Sequence, residues 1–361
     1  MHVVPYYPPH IGGMEAVAQS IAQHLARDRR VEVFTSTAAE VNPPRSERIG
    51  NLRVRRFPTM EFAHIPFMPT LPVHIARLSR RAVVHVHIAV AYAPEVVWLM
   101  SKLLRRQYVV HFHLDVDPSG RFGRLFLLYK RFVLGAVLRS AARVIAVSAD
   151  QPEFLVRTHG VRADRIELIP NGVGTQFFLG AREHPSPGRP FRLLFVGRLA
   201  PQKNVSLLLR ALAAMTEPVE VRIVGDGEER RALERMISEL CLGNTRIVGA
   251  KVGQDLVDEY RWADAFVLTS VKESTGLVLL EAFAAGLPVV ATNVVGVRDT
   301  VADDGLLVDP DPAALADALD RLAGDRNLWQ DLATRSATRA GQDSWESSFE
   351  RIERIYDEVW P

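Results

Sequence analysis

Two carboxylates separated by seven residues flank a glycine turn in the C-terminal half of the chain. The segment runs from Glu273 through Gly276 to Glu281 and continues as an apolar stretch. A glycine turn that opens a helix leaves backbone N–H groups free at the positive end of the helix dipole, which favours a bound phosphate. Carboxylates beside it can accept hydrogen bonds from sugar hydroxyls. The spacing therefore predicts a site for a nucleoside diphosphate sugar.

Two cations follow an earlier apolar run. Gly197, Arg198 and Lys203 come directly after Leu193–Val196, which is typical of a buried strand. An arginine fork and a lysine point charge together suit a diphosphate. Ligands of parallel α/β sheets bind at the carboxyl ends of the strands, so we expect both cations to face a ligand. The alternative interpretation is that they are solvated surface charges.

Other loops carry weaker signals. Gly12 and Gly13 precede a helical pattern, and glycines there would let the backbone approach a ligand, although an ordinary turn also explains them. His113 ends an apolar strand, where it could hydrogen-bond a sugar hydroxyl, accept a proton or simply lie in a loop. Gly225–Gly227 is as typical of a tight turn as of a ligand contact.

No metal site is predicted. His85 and His87 share one face of a strand, but the sequence indicates no third ligand beside them. Asp115 and Asp117 have the spacing of a metal-binding pair, but they lie in a basic part of the chain. The Gly-x-Gly-x-x-Gly fingerprint of dinucleotide-binding proteins is absent. We therefore expect no metal or other cofactor.

Charge is unevenly distributed along the 361 residues. Residues 1–175 contain 23 lysines and arginines against 13 acidic residues, and the remainder contains 21 against 29. This asymmetry favours an anionic partner for the first half. The dense basic and aromatic pattern of nucleic-acid-binding proteins is absent, so we expect no nucleic-acid partner. The single cysteine, Cys241, excludes an internal disulfide and is expected to be a buried core thiol.

Short apolar runs alternate twice with helical patterns, which predicts two doubly wound parallel sheets. The first series is His2–Pro5, Val31–Phe34, Val83–Val86, Tyr108–His111 and Val144–Val147. The second is Leu193–Val196, Val219–Val224, Thr245–Val248, Ala265–Leu268 and Val289–Ala291. We predict an N-terminal domain over 1–178, a linker over 179–190, a nucleotide-sugar-binding domain over 191–342 and a helix over 343–361 that packs back towards the first domain.

The motifs together resemble the family 4 retaining glycosyltransferases of GT-B fold. The resemblance covers nearly the whole chain and rests on Val4–Gly13, Val84–His87, Phe112–His113, Ile169–Val173, Val196–Leu199, the Glu273-x7-Glu281 motif and Trp345–Glu346. It implies an α/β protein with two Rossmann-like domains that face each other across a cleft. A lone Glu-x7-Glu motif carries little weight, but in this order and context the match is specific.

The resemblance also implies roles for individual residues. Glu281 is expected to hold the ribose hydroxyls, Glu273 to lie near the donor sugar, and Lys251 to border the base. The implied catalytic residues are Glu273, Arg198, Lys203 and His113. The implied donor-binding residues are Gly12, Gly13, Gly197, Gly276, Leu277, Val278, Glu281 and Lys251. Four positions depart from the family pattern, and they leave the choice of donor open: Gly174, Asn204, Thr269 and Thr275.

The implied activity is transfer of a hexosyl residue, with retention and without a metal, from a UDP- or GDP-linked sugar to a hydroxyl. A glycan or lipid-linked glycan acceptor of cell-envelope or polysaccharide biosynthesis is expected. A sugar-nucleotide epimerase or a phosphorylase of the same fold is the alternative enzyme, and a non-catalytic binding subunit is a third reading. A dehydrogenase is disfavoured by the missing glycine fingerprint.

One basic and apolar segment, residues 121–139, has two interpretations. It could lie on an anionic membrane surface and deliver a lipid-linked acceptor, or it could be a core helix with a solvated basic face. No apolar run is long enough to predict a membrane span. We expect a cytoplasmic protein, with peripheral association at the inner face of the plasma membrane as the open question.

Overall fold

The computed structural model describes residues 1–38, 43–62, 65–113, 128–180, 190–273, 276–341 and 344–360. Contacts divide the chain into two units, Met1–Pro170 with Ser347–Pro361 and Asn171–Glu346. Each unit is a Rossmann-like α/β domain built on a parallel sheet, as the sequence predicted.

The first unit contains an eight-stranded sheet. Its strands are β1 (His2–Val3), β2 (Val31–Ser36), β3 (Ser46–Ile49), β4 (Leu52–Phe57), β7 (His85–Ile88), β8 (Val109–Phe112), β9 (Arg143–Ala146) and β10 (Ile166–Leu168). Their order in the sheet is β10-β9-β8-β7-β1-β2-β4-β3, and only β3 and β4 pair antiparallel. A separate antiparallel hairpin pairs β5 (Met60–Phe62) with β6 (Ile65–Phe67). Its helices begin with α1 (Gly13–Leu25), α2 (Leu71–Ala76) and α3 (Ala93–Leu104), and continue with a π-helical segment (Lys130–Leu134), α4 (Gly135–Ser140) and α5 (Gln151–His159).

The second unit contains a six-stranded, fully parallel sheet in the order β13-β12-β11-β14-β15-β16. Its strands are β11 (Phe191–Val196), β12 (Val219–Val224), β13 (Thr245–Gly249), β14 (Ala265–Leu268), β15 (Val289–Thr292) and β16 (Leu306–Val308). Its helices are α6 (Val205–Ala214), α7 (Arg230–Glu239), α8 (Gly253–Trp262), α9 (Leu277–Ala284), α10 (Val297–Val301), α11 (Pro312–Gly324) and α12 (Arg326–Ala340).

The central strands are buried because helices cover both faces of each sheet. Every residue of β14 and β15 is buried, which explains why these strands are continuous apolar runs without alternation. Trp329 of α12 is fully buried in the same core, and its indole N–H donates to the carbonyl of Asp264 at 2.9 Å. A rigid core of this kind fixes the loops at the strand ends.

The division between the units differs from the predicted boundary at residue 178. Residues Val173 and Phe177 belong to the core of the second unit, and Val173 forms a β-bridge with Ser344. Most of the predicted linker, 181–189, lies outside the described residues. The final helix, α13 (Trp345–Val359), groups with the first unit from Ser347 onward, and the Ser348 hydroxyl donates to the carbonyl of Pro170 at 2.7 Å.

The expectation of a buried Cys241 is wrong, because the thiol is exposed. Cys241 lies in the turn after α7 with a positive φ of 55°. Its position is set by the backbone of the helix end, where the N–H of Leu242 donates to the carbonyl of Ile237. None of the described helices is both long and apolar enough to cross a membrane.

Candidate active site

Two loops of the second unit are joined at one edge of the sheet. They follow β11 and β14, which are parallel neighbours, so both start from the same edge. The Thr269 hydroxyl donates to the carbonyl of Lys203 at 3.0 Å, and the N–H of Val271 donates to the carbonyl of Gln202 at 2.9 Å. The Gln202 amide in turn donates to the carbonyl of Lys272 at 2.8 Å. These bonds hold the two loops in register.

The same bonds bring two of the predicted residues together. The Lys203 ammonium forms an ion pair with Oε1 of Glu273, which also accepts a hydrogen bond from the Ser270 hydroxyl at 2.6 Å. The Glu273 side chain is only 9% exposed, so a charged carboxylate there depends on these partners. The N–H of Glu273 donates to the carbonyl of Val295 at 3.3 Å, which connects the loop after β15 to the pair.

Arg198 is exposed, and its guanidinium has no hydrogen bond or ion pair with the residues that the structure describes. The loop that carries it is supported by the turn after β12. A Cβ atom on Gly225 would stand 1.9 Å from the carbonyl oxygen of Gly197, and one on Gly227 would stand 2.4 Å from that of Leu199. The Gly225–Gly227 motif therefore has a packing role, because it lets two backbones touch.

Gly276 opens helix α9 in a left-handed conformation, with φ of 57°. Its carbonyl accepts from the N–H of Leu279 at 2.7 Å. Leu277 and Val278 occupy the first turn, where N–H groups have no acceptor within the helix. Among the described residues no backbone carbonyl outside the helix accepts from either amide. Residues 274–275, which include the divergent Thr275, lie outside the described residues.

Glu281 is held by a residue that the sequence analysis missed. The hydroxyl of Tyr260, in α8, donates to Oε2 of Glu281 at 2.7 Å. Burial raises the pKa of Glu281 from 4.5 to about 7, although the Tyr260 hydrogen bond acts in the opposite direction. Tyr260 is fully buried, and its aromatic ring at a helical spacing gave no sign of a polar role. Near neutral pH this carboxyl is divided between its charged and neutral forms.

Lys251 is engaged by a buried carboxylate. Its ammonium forms an ion pair with Glu259, which is 3% exposed. Glu259 also contacts Arg222 at 3.2 Å, and the Arg222 guanidinium lies 4.0 Å from the centre of the Trp262 ring. Two cations thus share one carboxylate, so part of their positive charge is uncompensated at this edge of the sheet.

Two departures from the family pattern have structural explanations. Asn204 adopts a left-handed conformation with φ of 47°, which asparagine tolerates better than most residues, so it can replace glycine there. Thr269 supplies the hydroxyl that holds the loop of Lys203, a bond that a proline could not make. Neither substitution disturbs the Lys203–Glu273 pair.

Gly12, Gly13 and His113 belong to the first unit. Gly13 begins α1, and the carboxylate of Glu15 lies so close to Gly12 that a Cβ atom there would stand 2.3 Å from it. His113 follows β8 and is 6% exposed. Its main-chain N–H donates to the carbonyl of Ile88 at 3.2 Å. Burial lowers the pKa of His113 to about 3. It is therefore a neutral hydrogen-bonding group rather than an effective proton acceptor.

Five buried histidines, which we call the histidine cluster, lie on adjacent strands or at their ends. They are His2, His85, His87, His111 and His113. The expectation that no third ligand lies near His85 and His87 is wrong, because the register of the sheet pairs His2 with His85 and His111 with His87. The two residues were missed because sequence spacing does not report the register between separate strands.

Two sets of three in this cluster bring ring nitrogens within 4.8 Å of one another: His2, His85 and His87, and His87, His111 and His113. His87 belongs to both sets, and each of its ring nitrogens already faces another imidazole. A metal ligand must direct a lone pair at the ion, whereas both nitrogens of His87 are directed at the rings of His2 and His113. A hydrogen-bonded chain is the simpler interpretation of this geometry.

Known sequences match most of the chain. Residues 11–177 match the profile described as Glycosyltransferase Family 4, and residues 180–339 match that described as Glycosyl transferases group 1. A D-inositol 3-phosphate glycosyltransferase of Thermomonospora curvata is 28% identical over 399 aligned residues, covering 96% of this chain and 90% of the relative. That of Frankia alni is 34% identical over 249 residues, covering 61% of this chain and 60% of the relative.

Solved structures share the fold. Anabaena Alr3699/HepE, determined with UDP and glucose, superposes with a TM-score of 0.79 at 20% identity and covers 99% of both chains. Sucrose-phosphate synthase of Thermosynechococcus elongatus superposes with a TM-score of 0.78 at 23% identity and covers 99% of this chain and 98% of its own. At these identities the likeness establishes the two-domain fold.

Proposed function

Because the chain belongs to the family 4 glycosyltransferases, we propose that it transfers a hexosyl residue from a UDP- or GDP-linked sugar to a hydroxyl acceptor with retention of configuration. The observation that carries this proposal is the ion pair of Lys203 with the buried Glu273 at the junction of two loops. A cation and a carboxylate held together at the carboxyl ends of parallel strands suit a ligand that combines a diphosphate with a sugar.

The donor site proposed here combines four kinds of group. Arg198 and Lys203 supply positive charge for the diphosphate, and the first-turn amides of α9 supply hydrogen-bond donors. Glu281, supported by Tyr260, accepts from the ribose hydroxyls. Lys251 borders the base through the charge that it shares with Glu259. UDP is the first donor base to test, because Alr3699/HepE was determined with UDP-glucose.

In the proposed reaction the bond between the anomeric carbon and the phosphate oxygen breaks as the acceptor oxygen bonds to the same face of the sugar. The acceptor hydroxyl proton passes to the departing phosphate oxygen. Positive charge develops on the sugar and negative charge on the diphosphate. Lys203 and Arg198 stabilise that negative charge, and a fixed donor of this kind contributes about 3 kcal/mol to the barrier reduction. We propose that these cations replace a catalytic metal ion.

The donor test is a panel of UDP- and GDP-sugars, with slow hydrolysis and thermal stabilisation as readouts. We expect one donor to stabilise the protein and to be hydrolysed, and Glu273→Gln to reduce turnover at least about 100-fold. Glu239→Gln, at an exposed position of α7, is the matched control and should retain wild-type turnover. Equal turnover in the two variants, or no response to any nucleotide sugar, would refute the proposal.

The acceptor is proposed to be a glycan or lipid-linked glycan. The relatives described as D-inositol 3-phosphate glycosyltransferases make a polyol phosphate the second candidate. Their anionic acceptor is also consistent with the positive charge of the N-terminal half. A panel that pairs the identified donor with lipid-linked glycans and with inositol phosphates would distinguish the two acceptors. Interconversion of the donor sugar without any acceptor would instead indicate an epimerase.

An exposed apolar and basic surface supports the proposed membrane association. Leu99 and Leu103 of α3 are exposed, as is Phe132 of the π-helical segment that contacts α3. Lys102 and Arg131 are exposed beside them. Apolar side chains ringed by cations are typical of surfaces that bind anionic lipid. Residues 121–127 of the predicted segment lie outside the described residues.

Vesicle flotation tests this association. The protein should float with vesicles containing anionic lipid and remain below with neutral vesicles, and salt should weaken binding. Leu103→Ser should reduce flotation several-fold. Ile49→Ser is the control and should not reduce it, because Ile49 lies outside this surface although it is similarly exposed, at 62% against 67% for Leu103. Equal flotation of both variants would exclude this surface as the contact.

A further inference from the structure

Three members of the histidine cluster form a continuous hydrogen-bonded chain. Nδ1 of His2 lies 3.1 Å from Nε2 of His87, and Nδ1 of His87 lies 2.9 Å from Nε2 of His113. The three rings come from β1, β7 and the end of β8, and all are at most 6% exposed. We call this chain the histidine relay.

All three rings are neutral at physiological pH. Burial lowers the pKa of His113 to about 3 and holds the pKa values of His2 and His87 well below the usual range. A neutral imidazole carries one N–H donor and one acceptor nitrogen. The two hydrogen bonds of His87 are therefore coupled: if one nitrogen donates, the other must accept.

Only two arrangements satisfy both bonds. In the first, His113 donates from Nε2 to His87, and His87 donates from Nε2 to His2, so each ring is protonated at Nε2. In the second, every donor is reversed, and each ring is protonated at Nδ1. The three rings must share one tautomer, because any mixed set brings two N–H groups or two lone pairs face to face.

The choice between the two arrangements matters at His113, because its Nε2 is hydrogen-bonded to His87 and only its Nδ1 remains for a ligand. In the first arrangement this nitrogen accepts a hydrogen bond, and in the second it donates one. We propose that His87 and His2 are positioning residues that set the tautomer of His113 and thereby the polarity of its contact with a sugar hydroxyl. The contact itself rests on the proposed function, whereas the shared tautomer does not.

His111 provides a matched control within the cluster. Its ring lies 4.5 Å from that of His113 and 5.1 Å from that of His87, nearly parallel to both. Neither of its nitrogens has a hydrogen-bond partner among the described residues. Replacing it therefore disturbs the packing of the same rings but breaks no bond of the relay.

The test uses full-length protein labelled with ¹⁵N-histidine and long-range ¹H–¹⁵N correlation spectra, which distinguish the two tautomers. We expect His2, His87 and His113 to show one common tautomer. His2 bonds to His87 and not to His113, so a change in the tautomer populations of His113 in the His2→Phe variant would have to pass through His87. We expect that change in His2→Phe and no change in His111→Phe. A mixed set of tautomers in the wild type, or an identical His113 signal in the His2→Phe variant, would overturn the relay.

Kinetics give a second readout. With the donor identified above, His87→Phe should lower kcat about tenfold with the donor KM within about twofold, and His87→Asn should recover part of the loss because the amide retains a hydrogen-bonding group near Nδ1. Absence of activity with every donor would count against the proposed function and leave the spectra to decide the relay. Ring ¹⁵N shifts on addition of Zn²⁺ that EDTA reverses would replace the relay with a metal centre.

Discussion

The Lys203–Glu273 pair and the histidine relay bury polar groups by opposite means. The pair places an ammonium against a carboxylate, and the carboxylate also accepts a hydrogen bond from Ser270. The relay removes charge, because burial keeps each imidazole neutral. A buried ion pair presents a strong fixed field to a ligand, whereas a neutral chain transmits only the direction of a hydrogen bond. We therefore expect large catalytic effects from the first and modest ones from the second.

The largest effect is expected from Lys203→Met, which keeps much of the aliphatic stem and removes the ammonium. Turnover should fall about 100- to 1,000-fold, because the proposed mechanism uses this preorganised cation to stabilise the charge that develops on the diphosphate. Steady-state kinetics with the identified donor measure the change. Arg235→Met, at an exposed position of α7, is the control. A loss of less than about tenfold would make Lys203 a structural partner of Glu273 only.

A smaller effect is expected at Glu281, a buried carboxyl that, unlike the rings of the histidine relay, titrates near neutral pH. In the proposed donor site the charged form accepts from ribose hydroxyls, so donor affinity should rise about tenfold between pH 6 and 8 as the group with a pKa of about 7 ionises. The ligand should be a nucleotide sugar and not a free nucleoside diphosphate, because the terminal phosphate of the latter also titrates near neutral pH. Calorimetry should show a flat profile for Glu281→Gln. A wild-type profile that is also flat would remove Glu281 from the donor site.

The raised pKa of Glu281 also makes the stability of the fold depend on pH. Between about pH 4.5 and 7 the folded state retains the Glu281 proton while the unfolded state loses it, so this carboxyl makes the free energy of unfolding fall as pH rises.

Tyr260→Phe tests how the pKa of Glu281 is set, because it removes the hydrogen bond that lowers this pKa against the effect of burial. We expect the midpoint of donor binding to move above pH 7 and affinity at pH 7 to fall about two- to fivefold. An unchanged midpoint would show that Tyr260 does not tune Glu281.

The smallest effect on activity is expected at Asn204, which tests the backbone rather than the charge of the Lys203 loop. Asn204→Ala should lower the free energy of unfolding by about 1 kcal/mol, because alanine disfavours the left-handed conformation. Asn204→Gly should stay within about 0.5 kcal/mol of the wild type. Urea titration followed by tryptophan fluorescence measures both. Equal losses would assign the role of Asn204 to its hydrogen bond with Ser206 at 3.1 Å.

The fold was predictable because buried parallel strands are continuous apolar runs with helical patterns between them. The position of Lys203 at the carboxyl end of a strand was predictable by the same logic, whereas its ion pair with Glu273 emerged only from the structure, because it depends on β11 and β14 being neighbours. Tyr260 could not be identified, because a buried aromatic at helical spacing looks like ordinary core. The relay partner His2 was missed because the register of one strand against another is a property of tertiary structure.

The contact between the turn at Gly225–Gly227 and the carbonyls of Gly197 and Leu199 separates the shape of the Arg198 loop from the chemistry of its side chain. The path of the Arg198 loop is determined by main-chain contacts, and the arginine side chain takes no part in them. A substitution at residue 198 should therefore remove a cation from the proposed donor site while the loop keeps its shape. A loss of turnover in such a variant would report on charge and not on misfolding.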